Sequence, residues 1–99
     1  MNESKVITLC GSTKFKREFE EINTLLTIGG HVVISVGVFS HSDNLQLTKE
    51  QKEKLDKIHR QKINMSDEIF VINVGGYIGN STKNEIDYAI KSGKKVNLV

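Results

Sequence analysis

Four short apolar runs, separated by three longer stretches whose apolar residues recur at helical intervals, constrain this chain more than any other feature. "KVITLC" (5–10) reads as a short buried strand, after which Phe15, Phe19, Ile22 and Leu26 line one face of a helix that Gly29 and Gly30 end. "HVVISVGVF" (31–39) reads as the second strand. A polar loop, "SHSDNLQL", leads to Thr48, whose hydroxyl can cap a helix with Gln51 completing a capping box. That helix is heavily charged, with Leu55, Ile58, Ile63 and Met65 as a thin apolar edge. "EIFVINV" (68–74) is the third strand, apolar almost throughout as strands covered on both faces are. A last helix carrying Ile86, Ala89 and Ile90 stops at Gly93, and "KKVNLV" (94–99) is the fourth strand.

Strand and helix alternating in this way predict three right-handed crossovers. The expected fold is therefore α/β: a small Rossmann-like or flavodoxin-like parallel four-stranded sheet with helices on both faces, residues 1–99 forming a single domain without linker or repeat. In such sheets ligands bind beyond the carboxyl ends of the strands, where strand order reverses. Three loops converge there: residues 11–13, 39–43 and 75–82.

Composition narrows the function classes. At 99 residues the chain can build one small core, which self-association would help to complete. A 37% hydrophobic and 26% charged composition is globular, and no apolar run approaches the roughly 20 residues of a membrane span. The net charge of +2, spread evenly, gives no support for nucleic acid binding but suits a phosphorylated small molecule. The single cysteine, Cys10, permits no internal disulfide, and the first apolar run is too short for a signal peptide; both point to the cytoplasm. No cofactor is implied, and no His, Cys or carboxylate spacing resembles a metal site, so none is expected.

The candidate site residues each have a structural alternative. In "CGSTKF", Gly11 would let the backbone approach a ligand while Ser12 and Thr13 offer donors at a helix start; ordinary N-capping would look the same. In "NVGGYIGNSTKNEI" (73–86), Gly75, Gly76 and Gly79 leave little bulk around Tyr77, and Asn80, Ser81 and Thr82 present amides and hydroxyls where an anion can rest. Glu85 can reach into the cleft from the first turn of the helix, unless Thr82 and Glu85 merely form a capping box. Phe39 and Tyr77 can sandwich a flat base or plug the core. His59 shares a helical stripe with Leu55 and Ile63 and so faces the sheet, as a hydrogen-bonded structural residue or as an acid or base. His41 and Asp43 can contact ligand or simply be solvated. Cys10 reads as a small buried filler, and Asp67 as a hydrogen-bond partner for a loop.

"ITLCGSTKF", "SDEIFVIN" and "GNSTKNEIDYAIKSGKKV" together resemble the nucleoside 2-deoxyribosyltransferase superfamily, which includes 2'-deoxynucleoside 5'-phosphate N-hydrolases. The resemblance covers nearly the whole chain in order and is looser through the second strand and second helix. It implies a hydrolase or transferase acting on the N-glycosidic bond of a nucleoside or nucleotide, with Glu85 as nucleophile holding the sugar as a covalent ester. Gly11 and Ser12 would line the sugar and phosphate side, Ser81 and Thr82 would bind the sugar hydroxyl or 5'-phosphate, and Tyr77 would sit near the reacting groups. Where the family carries an aspartate about two turns before the third strand, this chain has His59, with Asp56 one turn earlier. Either His59 handles the proton of the leaving base, or the cleft is a non-catalytic nucleotide or nucleotide-signal binding module. The chain is shorter than usual family members, which predicts a homodimer whose partner completes the cleft wall.

Overall fold

The computed structural model describes residues 3–98. Its elements run β1 (Val6–Cys10), α1 (Lys16–Ile28), β2 (Val32–Ile34), α2 (Lys49–Asn64), β3 (Glu68–Val71), α3 (Asn80–Lys91) and β4 (Lys95–Leu98). All strand pairs are parallel, in the order β2-β1-β3-β4. Alternation along β1 sorts the core into two layers. Ile7 and Leu9 pack with Phe19 of α1 on one face, while Cys10 packs with Ile63 of α2 and Ala89 of α3 on the other. Helices thus cover both faces, as the alternating pattern predicts.

The strand order positions the site. From β1 the chain crosses over α1 to β2 on one side, and from β3 it crosses over α3 to β4 on the other. The carboxyl ends of β1 and β3, paired as Cys10 with Val71, therefore flank the crevice where the winding reverses. Backbone and side-chain ties hold these strands at the opposite end as well: Asp67 Oδ2 accepts a hydrogen bond from the Val6 amide at 2.8 Å, a strand partner rather than the expected loop.

Two strands are shorter than their apolar runs. β2 pairs only with β1, through three residues, so beyond Ile34 nothing holds the chain in the sheet. Val36, Gly37 and Val38 then turn aside and become part of a cavity wall. β3 ends at Val71, and Val74 instead bridges Tyr77 across the Gly75-Gly76 turn. Both glycines have positive φ, 60° and 80°, as a two-residue hairpin turn requires. Among the described residues no helix is long and apolar enough to cross a membrane.

Candidate active site

A cavity of about 420 Å³ opens at the carboxyl ends of β1 and β3, within the size range of small-molecule sites. Its floor is the turn Gly11-Ser12-Thr13. Gly11 is required there: its φ is 155°, and an added Cβ would come within 3.0 Å of Ile72 Cβ and 3.1 Å of the Ile72 carbonyl oxygen. The turn does not cap α1, whose N-cap is Phe15. Ser12 Oγ accepts from the Lys14 amide, and Thr13 Oγ1 accepts from the His41 amide, tying the loop after β2 to the turn after β1.

The start of α3 also lines the cavity. Its N-cap is Gly79, and no side chain caps it. The helix begins at Asn80, so Thr82 is its third residue and Glu85 its sixth. Glu85 therefore sits in the second turn rather than the expected first, and the alternative in which Thr82 and Glu85 form a capping box does not occur. The early amides of α3, which no intrahelical carbonyl can satisfy, lie beside Gly79, Asn80, Ser81 and Thr82 in the cavity wall.

Glu85 reaches the cavity from a half-closed niche, its side chain 18% exposed. His59 Nε2 lies 3.7 Å from Glu85 Oε1 and 3.4 Å from Cys10 Sγ. Burial pushes the Glu85 carboxyl up to about 7, the Asp56 charge acting in the same direction and the Cys10 hydrogen bond and Arg60 against it. Burial takes the His59 imidazole down to about 4, with Lys62 adding to the effect. The His59–Glu85 contact is therefore not an ion pair near neutral pH: the ring is neutral and acts as a dipole on a carboxyl poised between its two states. Burial also raises the Cys10 thiol, and the Glu85 charge raises it further, so Cys10 is protonated.

Of the residues expected at the site, Gly11, Ser12, Thr13, His59, Tyr77, Ser81, Thr82 and Glu85 line the cavity. Phe39 does not. It packs edge-on against Phe19 at 5.2 Å within the α1-side core, because the chain leaving β2 turns that ring inward. Tyr77 pairs instead with Phe15 at 5.9 Å and lies under the Lys14 ammonium at 3.7 Å. Gly76 is also outside the lining and serves the hairpin turn. Asp43 is held by Lys16 at 2.9 Å, whereas His41 does reach the cavity.

Several lining residues escaped the sequence reading. Asp56 is one of them: it lies three residues before the expected His59 on α2 and so shares its face, and that spacing was the available signal. Val36, Val38, Leu55 and Ile58 form an apolar wall, and Lys52 and Lys62 add positive charge. A second cavity of about 60 Å³, lined by Asp56, Arg60, Ser81, Asn84 and Glu85, shares Asp56, Ser81 and Glu85 with the first and is large enough to hold water.

No protein-family model and no curated protein matches the chain. Solved structures do. The 2-deoxyribosyltransferase of the psychrotolerant bacterium Bacillus psychrosaccharolyticus superposes with a TM-score of 0.72 at 21% identity, covering 94% of this chain and 70% of that one. The CMP N-glycosidase of Clostridium botulinum superposes with a TM-score of 0.64 at 22% identity, covering 95% of this chain and 70% of that one. The likeness agrees with the resemblance carried by the motifs at residues 7–15, 66–73 and 79–96, and it establishes that the chain has the nucleoside 2-deoxyribosyltransferase-like fold.

Proposed function

We propose that this chain cleaves the N-glycosidic bond of a nucleoside or nucleotide, hydrolysing it or transferring the sugar, with Glu85 as nucleophile. The observation that carries the proposal is the placement of one largely buried carboxyl in the lining of the cavity that Gly11, Ser12 and Thr13 also line. The ionised Glu85 attacks the anomeric carbon, the C1'–N bond breaks, and its electron pair leaves with the base. The transition state carries oxocarbenium character, which a carboxylate in a low-dielectric niche stabilises. A deoxyribosyl-Glu85 ester results, and water or a second base then attacks the same carbon and releases Glu85. The adjoining small cavity supplies a route for water to the carboxyl.

The remaining residues divide by chemistry. Ser12, Thr13 and the open amides of α3 suit a 5'-phosphate or sugar hydroxyl, and Tyr77 closes the rim above them. The apolar wall of Val36, Val38, Leu55 and Ile58 suits the faces of a base. His59, neutral and 3.7 Å from Glu85, orients the nucleophile rather than supplying the proton, because its conjugate acid is scarce above pH 5. Asp56, on the same face of α2, accepts a hydrogen bond from the leaving base and so holds it in place, and the departing nitrogen takes its proton from water.

The single domain acts as a homodimer in the cytoplasm. Large apolar side chains left outside the core, among them Leu25, Ile28 and Val32 at one edge, support self-association, and sedimentation velocity tests it. Incubating the protein with each ribonucleotide and deoxynucleotide and assaying free base tests the reaction. The proposal expects release that Glu85→Gln abolishes; nucleotide binding by calorimetry without release would instead select a binding module.

A further inference from the structure

Cys10, His59 and Glu85 come from β1, α2 and α3, and no local spacing joins them. In the fold their sulfur, imidazole nitrogen and carboxylate oxygen all lie within 4.8 Å of one another. Two of the separations are 3.4 Å, from Cys10 Sγ to His59 Nε2, and 3.7 Å, from His59 Nε2 to Glu85 Oε1. Ligand bonds of about 2.0 to 2.3 Å at tetrahedral angles put neighbouring donor atoms about 3.4 to 3.6 Å apart. Two of the three separations are thus close to those between the corners of a zinc tetrahedron, the third lies within 4.8 Å, and Glu85 is the least buried of the three.

We propose that Cys10, His59 and Glu85 form a binding site for a divalent cation of the zinc class, with the fourth coordination position facing the cavity. The donor set selects the ion: one thiolate, one imidazole and one carboxylate suit borderline-soft zinc, whereas magnesium and calcium take oxygen ligands. Charge favours the complex in this niche. Burial penalises a lone thiolate and a lone carboxylate, but two anionic ligands and a neutral imidazole around a dication carry no net charge. The Cys10 proton, and that of Glu85 where it is protonated, pass to solvent on binding, so no oxidant or other reactant is needed. Access runs through the cavity, which His59 and Glu85 both line.

The site has a functional consequence that rests on the proposed role of Glu85. A coordinated carboxylate has its lone pair on the metal and cannot attack an anomeric carbon. Zinc therefore acts as an inhibitor competitive with substrate, relieved by chelation.

The test uses the full chain, reduced with a phosphine that does not sequester metal. Zinc affinity is measured by competition with a chromophoric chelator, and cobalt(II) is bound in parallel for its thiolate charge-transfer and tetrahedral d–d absorption. The expected result is one ion per chain, a cobalt thiolate band absent from Cys10→Ser, and affinity lowered at least about 100-fold in Cys10→Ser and in Glu85→Gln. Glu85→Gln changes a cavity-wall residue and so serves even where the buried Cys10→Ser does not fold. Zinc bound equally well by Glu85→Gln, cobalt bound without a thiolate band, or no stoichiometric ion in the wild type would overturn the site. These readings need no activity, so they stand apart from the fate of the glycosidic proposal. In an active enzyme, turnover undiminished at saturating zinc would overturn the inhibition.

Discussion

Two helices of this protein carry the same sequence pattern near their starts, and only one of them uses it as a cap. Thr48-x-x-Gln51 opens α2 as a complete capping box: Thr48 Oγ1 accepts from the Gln51 amide at 3.1 Å, and Gln51 Oε1 accepts from the Thr48 amide at 3.0 Å. Thr82-x-x-Glu85 reads identically, yet α3 starts three residues earlier, at Asn80 after Gly79. Thr82 is consequently buried in the helix, and Glu85 is carried past the first turn to the cavity wall. At α2 the polar residues close a helix end. At α3 no side chain closes the end, and the carboxyl lines the cavity. The difference lies in where the helix nucleates, which the glycine-rich hairpin before α3 decides.

Several substitutions would break or sharpen this contrast, and the largest effect is on turnover. Glu85→Gln should lower base release at least about 10³-fold, whereas Gln51→Ala, the equivalent change on α2, should leave it within about twofold. Comparable losses in both, measured as kcat at saturating nucleotide, would erase the distinction.

Stability should move in opposite directions at the two sites. The Glu85 carboxyl rises from an ordinary value of 4.5 to about 7 on folding, so the folded chain binds that proton more tightly. Its favourable contribution is full below pH 4.5 and is lost as pH rises to about 7. Glu85→Gln, measured with chelator present, should therefore stabilise the protein at pH 8 by at most about 3 kcal/mol and have little effect at pH 4.5. His59, lowered from 6.5 to about 4, has the reverse dependence: its contribution is full above pH 6.5 and lost as pH falls toward 4. Thr48→Ala should cost about 1 kcal/mol at every pH, as loss of a helix cap does. Urea denaturation across the pH range separates these patterns.

The smallest expected effect concerns Asp56. Activity should rise with pH along a limb centred near 7, as Glu85 ionises. Asp56→Asn removes a like charge and should move that limb to lower pH, by about half a unit to one unit, while lowering kcat if Asp56 also holds the leaving base in place. An unmoved limb would show that Asp56 does not sense the carboxyl.

The same contrast measures how far the sequence could be read. Element order and the parallel sheet follow from hydrophobic period alone, since Phe15, Phe19, Ile22 and Leu26 share one face and β3 after Glu68 is apolar on both. The turn Gly11-Ser12-Thr13, Tyr77, Ser81, Thr82 and Glu85 were legible from loop position and motif. The length of β2 was not, because Val36 and Val38 are as apolar as strand residues and leave the sheet only for want of a neighbouring strand. Phe39 and Tyr77 are both aromatic loop residues, and only packing sends one to the core and the other to the rim. The gathering of Cys10, His59 and Glu85 depends on three crossovers at once, beyond the reach of any local pattern.

The most direct test of the account is intact-mass and peptide mass spectrometry on enzyme quenched with acid during turnover of a deoxynucleotide. A deoxyribosyl adduct confined to the peptide carrying Glu85, and missing from Glu85→Gln, is the predicted result. Free base released at full rate by Glu85→Gln, with no adduct on that peptide in the wild type, would contradict it.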